Sequence, residues 1–372
     1  MAQWVRYFRS RRGVVLGGLV AAAALAGGLV SADRAVRLAS APLTAARLEI
    51  QRKQAPPAPA ALQARLDELA AAYGEEVGIA VTDVAHGWTA GVDHERPYPQ
   101  QSVSKLWVAI AVMKAADEGR LDPYGWVTLT GEDRSVFYQP VSYRIGTSGY
   151  ATPISDLLRR ALVESDNAAN DKLMRELGGP DGVAATLEGM GLTGVKVGAY
   201  ERDLQALTAG LVWQADYGIG WNFQAAREAL PMATRQAAMD AYLAEPLDGA
   251  APGEITTALA ALSRGELLSP ESTERLIGLM SQARTGPRRL KGGLPAGWTI
   301  AHKTGTGQDF RGASVGINDV GLITAPDGHV YAVAVMMRHT RKPVPERLAF
   351  MQSVTRAVAE QWMRDDAFQT AD

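Results

Sequence analysis

The chain has 372 residues, enough to bury a large hydrophobic core, and its 47% apolar and 21% charged residues are typical of a globular protein. Its formal net charge of −2 offers no basic surface for nucleic acid or an anionic membrane, so neither partner is predicted. The absence of cysteine excludes disulfides and thiolate chemistry, and the five histidines show no ligand spacing, so we predict neither a metal site nor a cofactor.

Residues 1–32 are predicted to direct export rather than to join the fold. Four arginines between positions 6 and 12 precede the apolar stretch VVLGGLVAAAALAGGLV, and the small residues Val30 and Ala32 suit cleavage after Ala32. The segment SRRGVVL also resembles a twin-arginine signal. The alternative is an uncleaved membrane anchor, because the stretch is close to the shortest that spans a bilayer. Both interpretations place the main domain outside the cytoplasm, in the periplasm or secreted.

A linker covering residues 33–58 is predicted before a single domain at 59–372, because the sequence QRKQAPPAPA is rich in proline and alanine. The domain opens with a helix whose leucines recur at helical spacing. Two strands are predicted next, at 77–84 and 87–92. The region from about 100 to 260 is predicted to be an all-helical subdomain.

The end of the domain returns to strands. TIAHKTG, SVGINDVGLITA and HVYAVAVMM are predicted strands, PDG at 326–328 is a hairpin turn between the last two, and a final helix follows. Because both ends of the chain contribute to one layer, we predict an α/β fold of the α+β sandwich type. Its antiparallel sheet is flanked by the N- and C-terminal helices, and the active site lies between the sheet and the inserted subdomain. Segment 206–250 is expected to add helical cover, with no assignable chemistry.

A serine and a lysine stand at the start of the apolar segment LWVAIAVMKA. If a helix begins near Ser102, then Ser102 and Lys105 share a face, whereas Ser104 points elsewhere. A serine hydroxyl becomes a nucleophile when an adjacent base takes its proton, and a lysine in an apolar setting can be that base. The pattern favours Ser102 as the nucleophile, although an N-cap serine with an exposed lysine has the same spacing.

Two further motifs carry polar side chains at the ends of elements. A Ser-Asp-Asn triplet beginning at Ser165 lies between two predicted helices, where such residues also act as caps. A Lys-Thr-Gly triplet beginning at Lys303 ends a predicted strand, and strand alternation places Lys303 on the face opposite His302. Gly305 would let a substrate approach the strand closely, and a backbone N–H just beyond it could serve an oxyanion.

Ser-x-x-Lys, Ser-Asp-Asn and Lys-Thr-Gly each occur once and in this order, which is the motif set of serine β-lactamases and penicillin-binding proteins. The sequence resembles the class A β-lactamases over most of residues 60–366. YQPV at 138–141 resembles the family's stretch with a tyrosine at the cleft mouth. Glu201, 36 residues after Ser165, stands where this family has its deacylating glutamate, which penicillin-binding proteins generally lack. The resemblance therefore implies an enzyme that hydrolyses β-lactams.

The resemblance also implies a role for each motif residue. Ser102 attacks the β-lactam carbonyl, and its N–H with that of Thr306 stabilises the oxyanion. Either Lys105, or Glu201 through a water, takes the serine proton, and Glu201 activates the water that releases the acyl group. The remaining implied roles are proton relay for Ser165, substrate contact for Tyr138 and Asn167, and a carboxylate pocket for Lys303, Thr304, Gly305 and Arg311.

Two positions depart from the family pattern. Gln205 stands four residues after Glu201, where asparagine is usual; it is one methylene longer, and its amide is expected still to hold a water. Ala199 replaces the arginine usually found two residues before the glutamate, so a salt bridge that fixes the loop carrying Glu201 is lost. Segment 206–250 is expected to support this loop instead. We therefore predict weaker or narrower β-lactam turnover than is typical, by a protein expected to be a monomer.

Three other functions fit parts of the sequence. GASVG at 312–316 matches the nucleophile elbow of other hydrolases, but a strand and a hairpin are predicted after it rather than a helix, so this function is rejected. A peptidase or esterase acting on cell-wall peptides or small esters would use the same serine and lysine. A sensor that β-lactams acylate without release would not need Glu201.

Overall fold

The structure, a computed structural model, describes residues 54–369. The predicted export segment and most of the predicted linker lie outside this range. Among the described residues, no helix combines the length and the apolar character needed to cross a membrane.

Strands with a continuous apolar character form the centre of the fold. The described strands are β1 (Val77–Asp83), β2 (Thr89–Val92), β3 (Tyr98–Pro99), β4 (Trp126–Leu129), β5 (Tyr150–Pro153), β6 (Gly249–Ala250), β7 (Thr299–Gly305), β8 (Asp309–Phe310), β9 (Ala313–Thr324) and β10 (Val330–Thr340). Six of them make one antiparallel sheet in the order β2-β1-β10-β9-β7, with β8 also paired to β9. Nearly every residue of β1, β9 and β10 is buried, which indicates that both faces of the sheet are covered.

Helices cover the sheet on both faces. The described helices are α1 (Ala60–Tyr73), α2 (Lys105–Asp117), α3 (Ile154–Arg159), α4 (Asn167–Glu176), α5 (Gly179–Gly189), α6 (Glu201–Ala209), α7 (Asn222–Ala229), α8 (Met232–Ala244), α9 (Pro252–Ser263), α10 (Pro270–Ser281) and α11 (Val344–Gln369). On the outer face, Leu66 of α1 and Met351 of α11 pack with Ile79 and Val333 of the sheet. On the inner face, Leu259 of α9 packs with the sheet and the helical region. The predicted α+β fold class is confirmed.

Helix α2 is the buried axis of the helical region. Its residues from Lys105 to Met113 are all buried, as expected for a helix that is apolar on every side. The helix begins at Lys105, three residues later than predicted, because Gln101–Ser104 forms a 3₁₀ turn that carries Ser102. The expectation of an all-helical subdomain is wrong in detail: β4 and β5 form a two-stranded ribbon within it, and β3 pairs with β6 at its border.

Candidate active site

The three motifs meet in one cavity of about 660 Å³ between the helical region and β7. The predicted residues that line it are Ser102, Tyr138, Ser165, Asn167, Glu201, Gln205, Thr304 and Thr306. Lys105 and Lys303 lie beneath this surface, both fully buried. The structure therefore brings together ten of the predicted site residues, which come from segments far apart in the chain.

The nucleophile turn is held in an uncommon backbone conformation. Gln101, just before Ser102, has a φ of 54°, in the left-handed region that a non-glycine residue adopts only when its surroundings impose it. The Gln101 N–H donates to Asp248 Oδ2 (2.6 Å), and its side-chain amide donates to the Tyr242 hydroxyl. Two buried side chains from the end of segment 206–250 thus hold the turn that presents Ser102.

Lys105 lies between the nucleophile and the glutamate. Its Nζ donates to Ser102 Oγ (3.0 Å) and forms a buried ion pair with Glu201 Oε2. Burial disfavours the charged carboxylate, but the charge of Lys105, together with hydrogen bonds from Lys105 and Gln205, outweighs this and lowers the pKa of Glu201 below its ordinary value. Glu201 is therefore an ionised base within reach of the nucleophile through Lys105.

A second lysine contacts the second serine. Lys303 Nζ donates to Ser165 Oγ (2.9 Å). Burial, with the nearby charge of Lys105, lowers the pKa of Lys303 well below its ordinary value. Ser165 ends a π-helical turn, Arg160–Glu164, and has a φ of 63°, so its hydroxyl is placed by a strained backbone rather than by a regular helix.

The cavity mouth is polar on one side and aromatic on the other. The Asn167 side chain donates to the Val136 carbonyl (2.8 Å), which fixes its amide at the start of α4. Tyr138 is 54% exposed at the rim. Phe137, also lining the cavity, packs edge-on against Phe223 of α7, with ring centroids 5.2 Å apart.

Both amide hydrogens of Gln205 form hydrogen bonds with protein groups. Its Nε2 donates to Glu201 Oε1 and to Gln101 Oε1, both at 2.8 Å, while its Oε1 accepts from Gln308 (2.9 Å). The expectation that this amide holds a water is therefore wrong for its two N–H groups. Only the remaining lone pair of the carbonyl oxygen is left to receive a hydrogen bond from water.

Segment 206–250 forms α7 and α8, as expected, but it also contributes to the site. Tyr242 of α8 donates to Asp248 Oδ1 (2.9 Å) and packs against Leu204 of α6. Arg227 of α7 lines the cavity and donates to Gln308 (2.8 Å). These contacts agree with the expectation that the segment supports the loop that has Ala199 in place of arginine.

No motif in the sequence singles out two buried aspartates: Asp171 holds the start of the helix that carries Glu201, and Asp248 holds the nucleophile turn. Asp171 accepts hydrogen bonds from the Glu201 N–H (2.7 Å) and the Ser135 hydroxyl (2.9 Å). Burial and the nearby charge of Glu201 raise the pKa of Asp171 to about 6. Burial likewise raises the pKa of Asp248 to about 6, despite the hydrogen bonds it accepts.

The arginine that lies beside the end of β7 is not the predicted one. Arg311 does not line the cavity; its guanidinium donates to Gln236 on the exposed surface (3.0 Å). Arg289 lines the cavity instead, with one nitrogen on the Gly305 carbonyl (2.8 Å) and the other on Thr306 Oγ1 (2.6 Å). Arg289 lies in TGPRRL, before β7 in the sequence rather than after it. This position is the only feature of the sequence that could have pointed to Arg289.

Gly305 allows close packing within the protein rather than the predicted approach of a substrate. It does not line the cavity, and a Cβ at this position would lie 2.3 Å from the Gln100 carbonyl oxygen. Glycine is needed here because β7 approaches the nucleophile turn closely, not because a substrate approaches the strand. Gly286 has the same purpose beside Thr304, where a Cβ would lie 2.5 Å from the threonine methyl group.

Comparison with known proteins identifies the family. A family model described as the β-lactamase enzyme family matches residues 61–362, most of the chain. The chain therefore belongs to the β-lactamase enzyme family, whose members are hydrolases.

The relatives that it resembles are class A enzymes. β-Lactamase VEB-1 of Pseudomonas aeruginosa is 26% identical over 282 residues, covering 76% of this chain and 83% of that protein. The extended-spectrum β-lactamase PER-1 of the same species is 29% identical over 242 residues, 65% of this chain and 68% of that protein. A solved structure of an ancestral class A β-lactamase has 28% identity and a TM-score of 0.64, over 81% of this chain and 99% of that chain.

The raised pKa of Asp171 predicts a pH-dependent stability effect. Its folded-state pKa of about 6 exceeds the ordinary value of 3.8, so its contribution to the free energy of unfolding falls as pH rises from about 4 to 6. The free energy of unfolding of Asp171→Asn, relative to that of the wild type, should therefore increase by an amount on the order of 2 kcal/mol as pH rises from about 4.5 to 7.5. Urea unfolding curves recorded across this range measure the difference. The exposed Asp67→Asn is the control, and a pH-independent difference for Asp171→Asn would contradict the assignment.

Proposed function

We propose that the protein hydrolyses β-lactams through an acyl-enzyme on Ser102 that Glu201 helps to release. The observation that carries the proposal is the position of Lys105 Nζ, which contacts both Ser102 Oγ and the Glu201 carboxylate in a buried site. A nucleophile, a proton acceptor and a base for water thus share one wall of the cavity. The names of the relatives support the same substrate class.

Acylation begins when Ser102 Oγ bonds to the β-lactam carbonyl carbon and loses its proton. Two routes lead the proton towards the Glu201 carboxylate: through Lys105, or through a bound water. The N–H groups of Ser102 and Thr306 are the proposed oxyanion donors, and Ser102 lies at the positive end of α2.

Opening of the ring requires a proton on the leaving nitrogen, and Ser165 is placed to supply it. Lys303 Nζ donates to Ser165 Oγ, so the serine oxygen is an acceptor in that contact. The hydroxyl hydrogen of Ser165 is then free to point into the cavity. As the C–N bond breaks, Ser165 gives its hydroxyl proton to the nitrogen and receives one from Lys303, and the proton taken from Ser102 by way of Lys105 and Glu201 replaces the proton that Lys303 gave, so none is gained or lost.

The carboxylate of the substrate is proposed to bind at the end of β7. Thr304 and Thr306 line the cavity there, Lys303 lies just beneath, and Arg289 replaces Arg311 as the supporting guanidinium. Arg289 supplies positive charge beside Thr306, and the buried Nζ of Lys303 is a further donor, so a carboxylate bound here would receive charge-assisted hydrogen bonds.

Deacylation is proposed to be the slow step. Glu201 activates the attacking water, but both amide hydrogens of Gln205 are already bonded to Glu201 and Gln101. The water therefore lacks one donor that would orient it, which supports the predicted weaker turnover. Export through the segment 1–32 and action in the periplasm or outside the cell remain part of the proposal.

The principal test replaces Glu201. Hydrolysis of a chromogenic cephalosporin is followed by its colour, and acylation is followed by the intact mass of the protein. Wild-type protein should give sustained colour with a transient adduct on Ser102. Glu201→Gln should still acylate but release the product at least about 100-fold more slowly, because the general base is lost, so a stoichiometric adduct should persist.

Ser102→Ala is the control and should give neither colour nor adduct. A single burst and a persistent adduct in the wild type would favour the sensor, for which Glu201→Gln should change little. Neither colour nor adduct in the wild type would overturn the β-lactam proposal and favour a peptidase or esterase.

The occupied amide of Gln205 gives a second prediction. Gln205→Asn shortens the side chain by one methylene, so that it no longer reaches both Glu201 and Gln101, and an amide hydrogen becomes available to the water. The deacylation rate, measured from the decay of the adduct mass, should rise several-fold while the acylation rate changes less than about twofold. A fall in the deacylation rate with unchanged melting temperature would show that Gln205 already orients the water.

The two arginines are distinguished by a matched pair of variants. Arg289→Ala should lower kcat/KM about 10- to 100-fold, because charge-assisted hydrogen bonds to a carboxylate are worth about 1.5–3 kcal/mol. Arg311→Ala, a surface change, should alter kcat/KM less than about twofold. The reverse order of effects, measured on one cephalosporin, would support Arg311 as the arginine of the carboxylate pocket.

A further inference from the structure

Three side chains that bind metals in many proteins meet outside the active site. Asp83 ends β1, His86 lies in the turn before β2, and His329 lies in the turn before β10. His86 Nδ1 is 3.0 Å and His329 Nε2 is 2.9 Å from the same oxygen, Asp83 Oδ2. Two imidazole nitrogens thus converge on one carboxylate oxygen.

We propose that Asp83, His86 and His329 bind a divalent transition-metal ion of the zinc type. Two ligand atoms about 2.0 Å from a tetrahedral zinc lie about 3.3 Å apart. The three ligand atoms lie within 4.8 Å of one another, and both aspartate–histidine distances are already close to this value. The side chain of His86 is 61% exposed, so a movement of its ring of up to about 1.5 Å closes the set without disturbing the core.

Hydrogen bonds hold the less mobile ligands in place. Asp83 Oδ1 accepts from the N–H groups of Ala85 and His86, both at 2.9 Å, which leaves Oδ2 directed at the two imidazoles. The backbone N–H of His329 donates to Asp327 Oδ1 (2.9 Å), and the Trp362 indole N–H donates to the other oxygen of Asp327 (3.0 Å). The contacts to Asp83 orient a ligating carboxylate, and those to Asp327 hold the turn that carries His329.

The charge around the cluster favours a cation. Asp83, His86 and His329 line a cavity of about 450 Å³ together with Asp327 and Asp365, and none of the described residues that line it is lysine or arginine. Arg264 borders a neighbouring cavity that His86 also lines, but it is paired with Glu266 (3.0 Å). The cavity of about 450 Å³ leaves room for water to complete the coordination of the metal.

The proposed ion would join two turns and lies apart from the catalytic groups. Asp83 and His329 are 246 residues apart in sequence, which is why the spacing of the histidines did not predict the site. The sheet pairs Lys303 with Val320 and Val320 with Ala334, and His329, just before β10, is five residues from Ala334, about 16 Å at the rise of a strand. Its effect is therefore expected on stability rather than on hydrolysis.

The test measures zinc binding by the full chain without an added histidine tag, using calorimetry and thermal melting. Zn²⁺ should bind with one-to-one stoichiometry and, at about 100 times its Kd, raise the melting temperature by about 5 °C. His86→Ala and His329→Gln should each weaken binding at least about tenfold. His94→Ala, a histidine outside the cluster, should bind as the wild type does, and Mg²⁺, which prefers oxygen ligands, should have no effect.

Absence of zinc binding, or binding that His86→Ala leaves unchanged, would overturn the proposal and leave the three residues as a hydrogen-bonded cluster. Because His86 is exposed, its replacement should leave the fold intact, and the melting temperature of the metal-free variant checks this directly. Because the readout is binding, its result does not depend on whether β-lactams are the substrate.

Discussion

The buried ion pair between Lys105 and Glu201 is the constraint around which the site is built. Placing either charge alone in the interior would cost several kcal/mol, so each charge offsets part of the cost of burying the other. The pair also joins two helix starts, since Lys105 begins α2 and Glu201 begins α6. Its geometry therefore sets the distance between the nucleophile turn and the loop that carries the base.

The remaining contacts follow from the need to satisfy these buried charges. Lys105 uses Ser102 as a further acceptor, and the Glu201 carboxylate receives a hydrogen bond from Gln205 while its backbone N–H is bonded to Asp171. A polar network of this kind is stable only if nearly every member is paired. Tyr242 and Asp248, at the end of segment 206–250, complete the pairing. A region whose composition indicated only helical cover is therefore connected by hydrogen bonds to the turn that presents the nucleophile.

Features whose role depends on neighbours in the chain were predictable from the sequence, whereas features that depend on the packing of distant segments were not. The spacing that pairs Ser102 with Lys105 is a local property, as are the strand alternation and the last hairpin turn, and the structure confirms all three. The prediction of Arg311 rests on its closeness to the strand in sequence, but the loop before the strand brings Arg289 to the cavity. Asp171 resembles an ordinary helix residue in the sequence, because only the folded structure shows its burial and its partners.

The packing of α1 against α11 on the outer face brings the two ends of the described chain close together. Ala61 and Arg65 of α1 share one groove with Arg364 of α11, while at the other end of α1 the ring of Tyr73 lies 4.5 Å from that of Phe350. The two helices therefore run in opposite directions, and the start of α1 lies beside the last turns of α11. The order in which the elements follow one another is thus not essential to the architecture: a short peptide joining these two ends, with a new opening in an exposed loop, would preserve the strand pairing of the sheet and leave the cavity on its far side unobstructed.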